Sequence, residues 1–173
     1  MRFLMGALLV SLASAASAQH AQPYTGQEKR DIKTLSDQEV SQYLSGAGMG
    51  YAKAAELNGY PGPMHVLELA DKLELSTSQR AAMKALMDRH KTDARAIGAK
   101  YVEAERALEM LFRSGEPDPK ALAASVDQAA RLQGEYRLSH LETHRRSVAL
   151  LTPEQVSKYA VLRGYSGERE HRH

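Results

Sequence analysis

His140 and His144 form the pair of side chains best suited to chemistry, because residues four apart on a helix lie on one face. Two neutral imidazoles at this spacing can chelate a divalent metal ion. The same spacing also occurs on solvated helix surfaces, so the pair alone does not establish a site. The zinc-protease pattern is absent here, because Glu142 is one position away from the place that pattern requires.

Two long helices are predicted to position this pair. Residues 76–114 and 119–150 each have the composition of one helix, and the stretch from Gly115 to Pro119 separates them. Because this connection is short, we predict an antiparallel hairpin. Apolar residues recur in heptads on both helices, as in a coiled-coil seam. The seam positions are Met83, Met87, His90, Ala94, Ile97, Tyr101, Ala104, Leu108 and Leu111, then Leu122, Val126, Ala129, Gln133, Tyr136, His140, Thr143 and Leu150, with Leu132, Leu138, Leu141 and Val148 widening the second face.

The hairpin brings a third histidine towards the pair. If the turn is centred near residues 115–117, residue n of the first helix faces about residue 232 − n of the second. His90 then faces residue 142, between His140 and His144. Three imidazoles with a water molecule would suit zinc, nickel or cobalt. The alternative is that His90 and His140 are tolerated polar seam residues and that His144 is exposed.

Further candidate ligands are weaker. Asp93 and Met87 lie within one turn of His90 on the same predicted helix. His65 and Glu68, three residues apart, form a second pair on an earlier segment. Shorter helices are predicted after Ser36, over 51–57, over 64–73 and from Thr152 to about Gly164.

A repeated helix cap brackets the hairpin. Each copy has leucine, then serine or threonine, two further residues and glutamine. The hydroxyl can accept from a free N–H of the helix start, and the glutamine can reach back to the N–H of the cap residue. The preceding leucine can pack against the first turn. The copies are Leu75, Ser76 and Gln79 before the first long helix, and Leu151, Thr152 and Gln155 after the second.

These paired motifs around a helical hairpin, in a chain without cysteine, resemble the Spy/CpxP family of periplasmic proteins. The resemblance covers residues 36–165, and Ser76 stands where the family usually has threonine. It implies an all-α hairpin with shorter flanking helices that dimerises into a thin curved cradle. Members of the family include ATP-independent refolding chaperones, envelope-stress regulators and proteins that respond to zinc, nickel or cobalt, so the resemblance leaves the activity open.

The ends of the chain are predicted to lie outside the helical domain. Residues 1–18 combine Arg2, a short apolar run and an Ala-x-Ala cleavage pattern, which indicates a signal peptide and export to the periplasm. The alternative is an uncleaved anchor in the inner membrane. Residues 19–34 are predicted to be a mobile arm, residues 35–165 the helical domain and residues 166–173 a disordered tail.

Composition excludes several classes of function. Without Arg2 the chain has 22 basic against 21 acidic residues, a balance that argues against a nucleic-acid partner. The absence of cysteine removes disulfides, thiol nucleophiles and thiolate zinc sites. No arrangement of residues indicates a catalytic triad, so we expect no enzymatic activity.

The resulting expectation is a chaperone-like envelope-stress protein that binds unfolded clients without a required cofactor. Its cations would attract acidic segments, and apolar surface left over from the hairpin would pair two copies into a homodimer. The alternative is a sensor or scavenger of zinc, nickel or cobalt. A third possibility is an accessory subunit for the periplasmic domain of a membrane sensor. The cations expected to contact clients are Arg80, Lys84, Lys91 and Arg95.

Overall fold

The computed structural model describes residues 24–165. This part of the chain is helical and contains no strand, so the predicted all-α fold is confirmed. The predicted signal peptide, the start of the arm and the tail lie outside the described residues. No helix within 24–165 has the length and apolar character needed to cross a membrane. After a short 3-10 helix (Gln27–Lys29), the helices are α1 (Asp37–Ser45), α2 (Lys53–Glu56), α3 (Pro63–Glu68), α4 (Thr77–Arg113), α5 (Pro119–Val148) and α6 (Pro153–Leu162).

Helices α4 and α5 form the predicted antiparallel hairpin. Ser147 Oγ lies 3.3 Å from the sulfur of Met83, and Ser139 Oγ lies 3.3 Å from Nδ1 of His90. Nearer the turn, the Gln133 amide donates to the Tyr101 hydroxyl at 3.3 Å. All three pairs agree with the predicted 232 − n register to within about three residues, which is close to the uncertainty of predicted helix boundaries.

The helices begin at the capping residues that the sequence predicted. Ser36, Ser76 and Thr152 each accept from the backbone N–H three residues later, and each is part of a complete capping box. Asp118 caps α5 by accepting from the N–H of Ala121 at 2.9 Å, with Pro119 at the first helical position.

Most positions of the predicted seam are buried or half-buried. Three predicted apolar-face positions are not, because Val126, Gln133 and Leu138 are exposed. Two paired helices bury only a narrow strip, so positions at the margin of a heptad stripe stay in solvent unless another element covers them. The prediction of a buried face was therefore too broad on α5.

Helix α1 lies against α4 at a point of very close backbone approach. A Cβ at position 98 would clash with the carbonyl oxygen of Tyr43, so only glycine fits there. The Tyr43 ring packs against those of Tyr101 and Tyr136, with centroids 4.7 and 5.0 Å away. The Tyr136 hydroxyl donates to the carbonyl of Ala47 at 2.6 Å and thereby anchors the loop after α1.

Helix α3 is shorter than the predicted 64–73. It ends at Glu68, and a turn with Glu74 in the left-handed region leads to α4. This turn lets both Leu73 and Leu75 enter a second core with Val66, Met83 and Tyr159, which joins α3, α4 and α6.

The expected mobile arm does not extend to residues 31–34, and this part of the prediction is wrong. Ile32 is buried in the core between α1 and the long helices. Lys33 pairs with Glu109 at 2.5 Å, and Thr34 donates to Glu105 at 2.7 Å. One apolar residue in a polar segment is enough to fix the backbone when its neighbours find partners on α4.

Candidate metal centre

One cavity gathers the histidines of the fold. It has a volume of about 490 Å³ and lies between the long helices, α2, α3 and the loop of residues 46–50. All the histidines within residues 24–165 line it, namely His65, His90, His140 and His144. The structure therefore brings together the three histidines predicted from the hairpin register, together with the one from the weaker pair.

His140 is buried and has a nitrogen without a partner. Its Nδ1 lies 2.9 Å from the carbonyl oxygen of Tyr136, which can only accept, so Nδ1 carries the proton and Nε2 carries a lone pair. This Nε2 is buried and has no hydrogen-bond partner within the described residues. Burial lowers the pKa of His140, which favours the neutral ring. A buried acceptor left unpaired costs about 1–3 kcal/mol, and a metal ion would satisfy it.

His144 is oriented in the same way, one turn along α5. Its Nδ1 lies 2.8 Å from the carbonyl oxygen of Tyr60, so Nε2 again carries the lone pair. Metal-binding histidines in proteins usually donate the other ring N–H to such a carbonyl, which fixes the tautomer. Gly62 leaves room for the ring, because a Cβ there would lie 2.7 Å from Cε1 of His144.

His90 supplies a third imidazole from α4. Its ring lies edge-on to that of His140, with centroids 4.5 Å apart and planes at 86°. Burial, and then the proximity of His140 and His144, lower the pKa of His90 to about 4. At neutral pH His90 is therefore uncharged and able to act as a ligand.

A carboxylate beside these rings was not predicted. Glu56 Oε2 accepts from the N–H of Gly62 at 3.0 Å and lies 3.5 Å from Nδ1 of His144. Its other oxygen accepts from the hydroxyl of Tyr159 on α6. A single glutamate on a four-residue helix has no periodic pattern around it, so the sequence carried no signal for this contact.

Of the four weaker candidate ligands, Met87 and His65 line the cavity, whereas Asp93 and Glu68 do not. Met87 lines the cavity, whereas Asp93 lines a separate groove on the opposite side of His90. His65 Nδ1 lies 2.8 Å from Glu68, as the second pair predicted, but Glu68 does not line the cavity. No group of three or more histidine, aspartate or glutamate side chains within residues 24–165 is arranged to hold one ion in this conformation. The metal site thus stays a prediction.

The cations predicted to contact clients mostly have partners within the chain. Arg80 pairs with Asp71 at 2.7 Å, and Lys84 pairs with the aspartate one turn later at 2.5 Å. Arg95 donates to the carbonyl of Ser45 at 3.3 Å. Lys91 lies on the wall of the histidine cavity. These contacts leave less of the predicted positive surface available to a client.

Fold and site together define a helical-hairpin protein whose short helices enclose a histidine-lined cavity. A family model described as heavy-metal resistance matches residues 44–158, and the chain belongs to this family. The family is part of the Spy/CpxP-like group of helical proteins, whose members are typically periplasmic, so the resemblance is confirmed at that level. Comparisons with curated proteins and with solved structures gave no significant match.

Proposed function

We propose that the protein binds a heavy-metal ion in the periplasm, within the cavity lined by its histidines, and acts as a sensor or scavenger without catalysing a reaction. The observation that carries the proposal is the buried Nε2 of His140, which has no hydrogen-bond partner among the described residues and belongs to a side chain of the cavity lining. Membership of the heavy-metal resistance family supports it.

Each histidine has a separate role in the proposed binding. His140 and His144 offer Nε2 lone pairs, and the carbonyls of Tyr136 and Tyr60 hold both rings in the required tautomer. His90 stands beside His140 and stays neutral because it is buried. Since Tyr60 belongs to the segment between α2 and α3, an ion at His144 would tie this segment to the hairpin.

Calorimetric titration of the mature chain with zinc, nickel and cobalt tests the proposal. We expect saturable binding by the wild type and loss of at least about tenfold in affinity in His140→Ala, because a ligand is removed. A His171→Ala/His173→Ala variant is the matched control, since it removes two histidines that the proposal does not use as ligands and should bind as the wild type does. Unchanged affinity in a His90→Ala/His140→Ala/His144→Ala variant would overturn the proposal.

As a second function, we propose weak binding of unfolded envelope proteins, as first expected from the sequence. The supporting observation is apolar surface near the hairpin turn, where Met110, Phe112 and Val126 are 54, 58 and 46 % exposed. Such surface binds partners without directional contacts. Suppression of client aggregation without ATP should weaken in Phe112→Ser, and no protection by the wild type at excess would refute this function.

Assembly is part of the same proposal. The exposed apolar side chains near the turn would also be available to a second copy or to the periplasmic domain of a membrane sensor. Mass measurement in solution tests the homodimer, and a pull-down with the sensor domain tests the second contact.

A further inference from the structure

We propose that the cavity prefers copper(I) and that the thioethers of Met49, Met64 and Met87 bind the ion together with imidazoles of His140 and His144. This inference rests on the proposed function, namely that the cavity holds a metal ion, and it specifies which ion. Zinc, nickel and cobalt were the metals expected from the sequence.

The distribution of methionine is the first argument. Three of the five methionines within residues 24–165 line the histidine cavity. The two others have different surroundings, because Met83 is buried in the core and Met110 is exposed near the hairpin turn. Thioether sulfur is a soft, uncharged ligand that selects copper(I), whereas zinc is bound by thiolate, imidazole and carboxylate. A cavity that combines three thioethers with imidazoles therefore favours the softer ion.

The backbone at Met49 is the second argument. Met49 has a φ of +46°, in the left-handed region that side chains other than those of glycine, asparagine and aspartate rarely adopt. Its neighbours Gly48 and Gly50 would tolerate such a conformation more easily. A methionine held in this region is therefore strained. The strained residue lies on the cavity wall and also packs against the core that contains Tyr43 and Tyr136. Neither glycine nor asparagine would bring a thioether to this wall, which is the feature that the inference uses.

Charge around the cavity is the third argument. Lys53 and Lys91 line it, and Glu56 is the carboxylate among its lining residues. Repulsion between a bound ion and these ammonium groups is proportional to the charge of the ion, so it is half as large for a monovalent as for a divalent cation. The neutral imidazoles and thioethers add no negative charge that would offset this repulsion. An ion with one positive charge and an affinity for soft ligands fits these surroundings best.

Competition for copper(I) under anaerobic, reducing conditions tests the inference, with bathocuproine disulfonate as the coloured competitor. We expect the wild-type mature chain to withdraw copper(I) from the chelator. A Met49→Leu/Met64→Leu/Met87→Leu variant should bind copper(I) at least about tenfold more weakly, because it keeps the apolar volume and loses the soft ligands. Its zinc affinity should stay close to that of the wild type. Met110→Leu is the matched control and should bind copper(I) unchanged.

Two results would overturn the inference: copper(I) affinity that survives in the triple variant, or failure of the wild type to compete for copper(I). X-ray absorption at the copper edge of the loaded wild type is an independent measurement, in which sulfur neighbours are expected and a shell of nitrogen and oxygen alone would contradict the proposal. If the triple variant does not fold, Met64→Leu replaces it, since Met64 is exposed. Zinc binding without preference for copper(I) would refute only this inference, whereas failure to bind zinc, nickel, cobalt and copper(I) alike would refute the proposed function as well.

Discussion

The side-chain amides of Gln79 and Gln155 donate to each other's oxygens at 2.8 and 3.1 Å, although 76 residues separate them in the chain. Each oxygen also accepts from the N–H of its own cap residue, Ser76 or Thr152. Each amide nitrogen also donates to a carbonyl on another segment, that of Leu150 or Leu73. The two caps thus form one hydrogen-bonded clasp at the open end of the hairpin.

Replacement of either glutamine should loosen this clasp. We expect Gln79→Ala and Gln155→Ala each to lower the free energy of unfolding by about 1–3 kcal/mol, because a cap bond and several part-buried groups lose their partner. The double variant should lose less than the sum of the two, since the residues share their bonds. Urea unfolding measures these differences. Gln38→Ala, an exposed position without such contacts, is the control; additive losses would show that the amides act independently.

Replacement by alanine should have opposite effects on stability at two glycines of the long helices. Gly98→Ala should lower stability by about 3 kcal/mol or more, because the new methyl group overlaps the backbone of Tyr43, whose carbonyl carbon would lie 2.8 Å away. Gly134→Ala, with nothing within 4 Å, should raise stability by about 0.5–1 kcal/mol through helix propensity. Thermal unfolding of the two variants gives the comparison. A stable Gly98→Ala protein would contradict the close approach of α1 to α4.

Gly62→Ala should lower the affinity for metal while changing the free energy of unfolding only slightly. The added methyl group would lie 2.7–2.8 Å from the ring of His144, which has to turn away to make room for it. The imidazole would then leave the carbonyl of Tyr60, and we expect about tenfold weaker zinc binding from the loss of this orienting contact. Titration together with thermal unfolding separates the two effects. Gly134→Ala is again the control, and wild-type affinity in Gly62→Ala would show that His144 does not contribute.

The metal-free protein should lose stability in mild acid because of His90. Burial beside His140 and His144 lowers its pKa to about 4, whereas an ordinary histidine has a pKa of about 6.5. Between these values the unfolded chain binds a proton that the folded chain excludes, so stability falls as the pH drops through this window. Asp93 opposes the shift weakly, and His140, whose pKa is also lowered, should contribute in the same direction.

His90→Gln should therefore reduce the loss of stability between pH 7 and pH 5. Urea unfolding at both values measures it, and His65→Gln provides a control at a less buried histidine. If the pH dependence were the same in His90→Gln and in the wild type, His90 would not be buried in its neutral form.

The hairpin was predictable because its determinants are local and repetitive. Heptads place residues on one face, and a five-residue connection sets the register closely enough to bring His90 against His140. The capping residues were also identified from spacing alone, because a cap involves only neighbours in the chain.

The rest of the site depends on how short segments dock onto that hairpin. Glu56, Met49 and Met64 reach the cavity only because α1–α3 pack against the long helices, and no periodic pattern encodes this arrangement. Gly98 carried only an ambiguous signal, because Gly134 is likewise a lone glycine inside a long helix and has nothing within 4 Å of a Cβ. The partner of Gly98, Tyr43, could not be named without the structure.

The tyrosines beside His140 provide an intrinsic fluorescence signal for binding at this residue. The chain contains no tryptophan, so its ultraviolet emission comes from tyrosine. Tyr136 and Tyr51 have ring centroids 4.7 and 6.4 Å from that of His140, and both pack within the same aromatic cluster. A nickel or cobalt ion that arrives at Nε2 would quench this emission, so occupancy of the cavity can be followed in unlabelled protein.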